Sequence, residues 1–130
     1  MRHEGFRGTP YRDTVDKLTI GYGRNLSDKG ISREEAAILL DNDIREAESA
    51  VAKAFPWTME VDRPRFEVLV NMAFNLGIGG LLKFEHMLSA MEAGSWESAA
   101  VEMLNSKWAK QVAHRADELA VIMRTGRDPT

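Results

Sequence analysis

The sequence predicts a mainly helical α+β chain in two lobes, a small N-terminal β-hairpin lobe followed by a C-terminal helical lobe. Three observations carry that prediction. Residues 3–23 hold four glycines, Gly5, Gly8, Gly21 and Gly23. Each costs roughly 1 kcal/mol in a helix interior, so the stretch reads as short strands and turns. From Ser32 onward, apolar residues recur instead at helical spacing. The connections in this second part are short, as in helical bundles.

In the first lobe, PYRDT (Pro10 to Thr14) and KLTIGYG (Lys17 to Gly23) flank a tight turn at Thr14, Val15 and Asp16. A third short strand is predicted around Arg24 to Leu26, before Asp28, Lys29 and Gly30 break the chain. Ser32 and Glu35 stand at capping-box spacing and open a helix. Leu40, Ile44, Ala47, Val51 and Ala54 give it one apolar stripe, and Pro56 ends it. Asp62 and Pro64 start the next helix as N-cap and first-turn proline. Its body, Phe66 to Leu76, is apolar nearly all round, so it is expected to be wrapped on every side, with Gly77, Gly79 and Gly80 stopping it. Further helices are predicted at Phe84 to Ala93, Ser95 to Asn105 and Val112 to Arg124, punctuated by Gly94 and Gly126. Trp57, Trp96 and Trp108 read as core anchors, and Tyr11 and Tyr22 suit packing of the small lobe. The expected organisation is one domain over 1–130, with a β-lobe at about 5–30, a connecting helix at about 32–54 and a helical lobe at about 62–126. A cleft between two such lobes is a place where ligands bind.

Composition narrows the function. The 17 basic and 20 acidic residues leave a net charge of −3, which weighs against a nucleic-acid partner, since such proteins normally carry a basic face. There is no cysteine, and His3, His86 and His114 are far apart with no ligand-spaced pair; no metal site is expected. No apolar run approaches the ~20 residues of a membrane span, and no signal peptide is read.

Two acids suggest chemistry. Polysaccharide hydrolysis commonly uses a protonated carboxyl group to protonate the leaving oxygen and an ionised one to orient water or attack the sugar. Glu4 precedes the β-lobe and Asp13 sits inside it, so one cleft edge could hold both. Taken alone, the spacing is a weak signal, since two acids nine residues apart are usually two solvated surface acids.

The surrounding residues go further. Glu4-Gly5, Tyr11, Asp13, Thr19 and Gly21-Tyr22-Gly23 closely resemble the phage-type lysozymes, the glycoside hydrolase family 24 muramidases. The resemblance continues through Asn71 to Gly77, the spacing of Trp96 and Trp108, Lys107-Trp108 with Arg115-Ala116, and Arg124 to Gly126. It thus runs collinearly over nearly the whole chain, and it implies a lysozyme-like fold. It also implies that Glu4 is the general acid, that Asp13 positions the attacking water, that Thr19 helps hold that water, and that the reaction inverts the anomeric centre. Arg115 matches the arginine that pairs with the acid, and Asn25, Phe74 and Asn75 match substrate-binding positions. The implied substrate is the β-1,4 bond between N-acetylmuramic acid and N-acetylglucosamine in peptidoglycan, cut by a monomer without cofactor. Such a phage or prophage endolysin would be made in the bacterial cytoplasm and reach the wall by export or through a membrane lesion. The alternative is a glycan-binding module with weak or no turnover.

Several positions depart from the family pattern. Only Met1, Arg2 and His3 precede Glu4, so either the chain begins inside a longer one or Glu4 is held less firmly. Arg24 stands where the family often has histidine, so a histidine–acid bridge is not expected. Leu26 to Ser32 is short, which reduces the lobe. Met87 and Glu102 fall at positions of polar substrate contact.

Overall fold

The computed structural model describes residues 5–128, and the chain divides into two units between Leu40 and Asp41. The first unit holds an antiparallel three-stranded sheet in the order β1 (Arg7–Arg12), β2 (Leu18–Gly21), β3 (Arg24–Asn25). Tyr11 pairs with Thr19 and Arg12 with Leu18, while a bulge separates these from the Arg7–Gly21 pair. Thr19 also pairs with Asn25, and Ile20 with Arg24, so Thr19 lies centrally in the sheet. The turn between β1 and β2 falls where the sequence predicts. Asp13 N–H donates to Lys17 O at 2.9 Å, and Asp16 takes a left-handed φ of 61°, which the short polar side chain of an Asp tolerates. β1 starts at Arg7, three residues before the predicted Pro10. It is an edge strand with a bulge, where proline's missing N–H breaks no ladder bond.

The helix α1 (Arg33–Ala54) runs from the first unit into the second. Its capping box forms as predicted: Glu35 N–H donates to Ser32 Oγ at 3.1 Å, and Ser32 N–H donates to Glu35 Oε1 at 2.9 Å. The apolar stripe is shorter than the periodicity suggests. Ala47 and Val51 are buried and Ile44 is partly so, but Leu40 is 47% exposed and Ala54 is also exposed. After Pro56 the chain makes a 3-10 turn over Pro56–Glu60 that has no periodicity signal, pinned by Thr58 Oγ1 donating to Phe55 O at 2.6 Å.

Among the described residues, the buried apolar core lies entirely in the second unit. The helix α2 (Arg63–Leu82) begins with Asp62 accepting the Arg65 N–H at 3.1 Å. Gly77 stops its first stretch as predicted, with φ 75° and ψ 161°, and helical geometry then resumes over 78–82, through Gly79 and Gly80. One expectation about it needs correction: it is not wrapped on every side. Val68, Leu69, Val70, Met72 and Ala73 are buried, whereas Glu67, Phe74 and Asn75 are exposed and Phe66 is only partly covered. Phe74 is apolar by type, but its helical phase carries it off the buried arc, whereas Phe66 shares the face of Leu69, Val70 and Ala73 and is only half-covered because it stands in the first turn of the helix.

The helices α3 (Glu85–Glu92), α4 (Trp96–Leu104) and α5 (Lys107–Thr125) complete the bundle. α5 starts at Lys107, before the predicted Val112, because Ser106 caps it by accepting the Ala109 N–H at 3.1 Å. Val112 is a local break inside it, at φ −116°. Gly126 ends it in the left-handed conformation, φ 72°, with its N–H donating to Ile122 O at 2.7 Å. Met72, Met87, Met91, Met103 and Met123 fill the core with Leu69 and Leu81, and all seven are at most 1% exposed. Flexible thioethers suit the irregular gaps between short helices. Trp108 joins this core as expected, at 5% exposure and edge-on to Phe84, while Trp57 and Trp96 pack against its margin. Among the described residues no single helix is long and apolar enough to cross a membrane.

Candidate active site

The sheet brings two of the predicted site residues together. Asp13 and Thr19 line one depression of about 590 Å³ in the first unit, with Phe6, Arg7, Tyr11 and Thr14 also on its wall. Asp13 follows the end of β1, where its carboxylate organises the turn. Its Oδ1 accepts the Val15 N–H at 3.0 Å and the Lys17 N–H at 2.8 Å. These two bonds fix the carboxylate plane and leave Oδ2 without a hydrogen-bond donor among the described residues. Thr19 is 2% exposed, the one buried residue of the first unit among those described. Its Oγ1 donates to Lys17 O at 2.9 Å, so the hydroxyl proton is committed and the lone pairs remain to accept. One residue, Lys17, thus orients both side chains through its backbone. Glu4, the predicted proton donor, lies outside the described residues.

Asn25 stands opposite Thr19 on β3, but its amide is engaged in the following loop. Its Nδ2 donates to Asp28 Oδ2 and its Oδ1 accepts the Asp28 N–H, both at 3.0 Å, while Lys17 Nζ donates to Asp28 Oδ1 at 3.2 Å. Phe74 and Asn75 belong to the second unit, on the exposed arc of α2. Phe74 is 42% exposed, and Asn75 Nδ2 donates to Asn71 O and Oδ1, both at 3.0 Å. Arg115 is exposed on α5 and makes no ion pair among the described residues. Met87 and Glu102 line a depression of about 480 Å³ in the second unit, together with Phe84, Lys107, Trp108 and Gln111. There the buried Trp108 Nε1–H has no acceptor among the described residues.

Some features of the first unit escape sequence reasoning. The Arg7 guanidinium stacks 4.6 Å over the Tyr11 ring at the wall of the Asp13 depression, and an edge-strand arginine gives no motif signal. Tyr22 does not pack into the lobe; it is 70% exposed and tilts against Phe6 at 5.3 Å. Arg24 does make an acid bridge, to a partner that the family pattern does not indicate. Its Nη1 donates to Glu35 Oε1 at 2.7 Å and to Gly30 O at 3.3 Å, and its Nη2 also contacts Glu35. The Arg24 hydrogen bond, with that from Ser32 N–H, pulls the Glu35 carboxyl down from 4.5 to about 2.

The family model for phage lysozyme matches residues 1–124. The pre-baseplate central spike protein Gp5 of Enterobacteria phage T4 is 32% identical over 96% of this chain, and the endolysin of Bacillus phage B103 is 37% identical over 82% of it. The match covers only 27% of the spike protein and 41% of the endolysin. Probable T4-type lysozyme 2 of Dictyostelium discoideum is 27% identical over 95% of this chain and 89% of its own length. With the family model running from the first residue through most of α5, and with a three-stranded sheet followed along the chain by a helical bundle, the chain belongs to the phage lysozyme family.

Proposed function

We propose that this chain is a peptidoglycan hydrolase, a muramidase that cleaves the β-1,4 bond between N-acetylmuramic acid and N-acetylglucosamine with inversion. The observation that carries the reading is the shared depression of Asp13 and Thr19, with one carboxylate oxygen held by two backbone N–H groups and the other without a donor. In this reading Glu4 gives its proton to the glycosidic oxygen as the C1–O bond breaks. A water, accepted by Asp13 Oδ2 and held by Thr19 Oγ1, attacks C1 from the opposite face and loses its proton to Asp13. Solvent then returns the proton to Glu4. Asn25, Phe74, Asn75 and Arg115 support substrate or acid by resemblance to the family. The chain works as a monomer without cofactor, as a phage or prophage endolysin that meets the wall after export or membrane lesion.

The test is the clearing of purified peptidoglycan by the parent, Glu4→Gln and Asp13→Asn. Product sugars read by proton NMR immediately after cleavage should carry the α-anomer, as inversion at a β-linkage requires; a β-anomer would mean retention. Binding of the wall without clearing by the parent would replace the hydrolase with the glycan-binding module.

A further inference from the structure

We infer that Arg24 is a positioning residue for the candidate active site: by bridging Glu35 and the Gly30 carbonyl, it fixes β3, and through β3 the strand that carries Thr19. The inference rests on the hydrolase reading of that site. Its basis is how little else holds the sheet. β3 is two residues long, and a strand so short contributes few ladder bonds. Thr19 is the one buried residue of the first unit among those described, so among them no fully buried apolar side chain clamps the sheet. Polar ties must do so instead. Among the described residues, Lys17–Asp28, Asn25–Asp28 and the Leu18 N–H to Ser27 Oγ bond join the sheet to its own loop. Among the described residues, the Arg24–Glu35 bridge is the side-chain hydrogen-bonded tie from the sheet to α1. Its geometry is strong for a surface pair, because the guanidinium offers both terminal nitrogens to one carboxylate. Glu35 is itself fixed, since it accepts the Ser32 N–H within the capping box.

The register turns this tie into a site effect. Arg24 pairs with Ile20, the residue after Thr19, and Asn25 pairs with Thr19 itself. Release of Arg24 frees β3 to shift against β2 and moves the Thr19 hydroxyl relative to the Asp13 carboxylate. A displacement of about 1 Å in such a pair can lower a rate by ~10²-fold. Glu35 and Tyr22 are the titratable groups on the walls around Arg24, and the other residues there are apolar or glycine. Glu35 is ionised above about pH 2 and the guanidinium is always charged, so the tie persists through ordinary pH.

Histidine at the same position would make the tie conditional on pH, which supplies the experiment. The parent, Arg24→Met, Arg24→Lys and Arg24→His are compared in peptidoglycan clearing from pH 5 to 9, each rate divided by that of the parent. Arg24→Met should lose ~10–100-fold in kcat with KM within about twofold, and Arg24→Lys should recover part of the loss. Arg24→His should approach the parent at pH 5 and fall away above the ordinary imidazole range near 6.5. Amide hydrogen exchange at Leu26, whose N–H donates to Leu18 O, reads the strand pairing without turnover and should speed up about tenfold in Arg24→Met. Parent-like rates in Arg24→Met at every pH, or unchanged Leu26 exchange, overturn the positioning role. A parent that clears no peptidoglycan overturns the hydrolase reading alone, while the Leu26 exchange still decides whether Arg24 holds the strand.

Discussion

Leu69 and Phe66 look equivalent in sequence, two apolar residues three apart on the same helix, yet the structure predicts that their truncations differ. Leu69 is 0% exposed and lies in the methionine-rich core. Replacement by alanine removes three carbons, about 2.4 kcal/mol at about 0.8 kcal/mol per buried carbon group. The cavity left among Met side chains adds to this, within the usual ~2–5 kcal/mol for such changes. Phe66 is only partly covered, with the Arg63 guanidinium 5.4 Å above its ring, so Phe66→Ala should cost about 1–2 kcal/mol. At this chain length 1 kcal/mol corresponds to roughly 3–5 °C in melting temperature. Leu69→Ala should therefore melt about 7–25 °C below the parent and Phe66→Ala about 3–10 °C below. Scanning calorimetry on the three proteins measures both shifts. A Leu69→Ala protein that melts within 3 °C of the parent, or higher than Phe66→Ala, would refute the placement of the core.

Four further outcomes follow from particular side chains. Glu4→Gln should lose at least ~10²–10⁴-fold in wall clearing, since an amide has no acidic proton to donate. Asp13→Asn should be nearly as inactive yet melt like the parent, because an amide Oδ1 can still accept the Val15 and Lys17 N–H groups; clearing assays paired with thermal melts check both variants. Glu35 carries a folded pKa lowered to about 2 from 4.5, so its contribution to stability is complete above pH 4.5 and is lost as pH falls through about 2. Urea melts of the parent and Glu35→Gln should accordingly differ most at neutral pH and converge near pH 2; a constant gap across that range would contradict the assignment. Arg65 bonds Asp62, Met123 O and Arg124 O, and stacks 4.0 Å over Trp96. Arg65→Met should destabilise by about 1–3 kcal/mol and increase proteolysis near the end of α5, as limited digestion with mass detection would show.

Residue order alone reveals what short-range chemistry encodes. Ser32 and Glu35 reach each other within one helical turn, so their capping box is legible in the residue order. The Asp13–Lys17 turn, the Asp62 cap and the Gly126 stop are equally local. Asp13 and Thr19 were legible as site candidates because their motif lies within one hairpin. Tertiary structure decided the contacts whose partners are distant or whose burial depends on helical phase. Nothing in the chain order marks Glu35 as the acid for Arg24, or the carbonyls of Met123 and Arg124 as acceptors for Arg65, since neither spacing repeats with a helix or strand. Phe66 to Leu76 reads as uniformly apolar, but only packing reveals that Phe74 lies on the exposed arc while Leu69 is enclosed. The physical reason is the same in each case. Caps and turns are set by the energetics of a few adjacent residues, whereas burial and long-range pairing depend on where the chain returns.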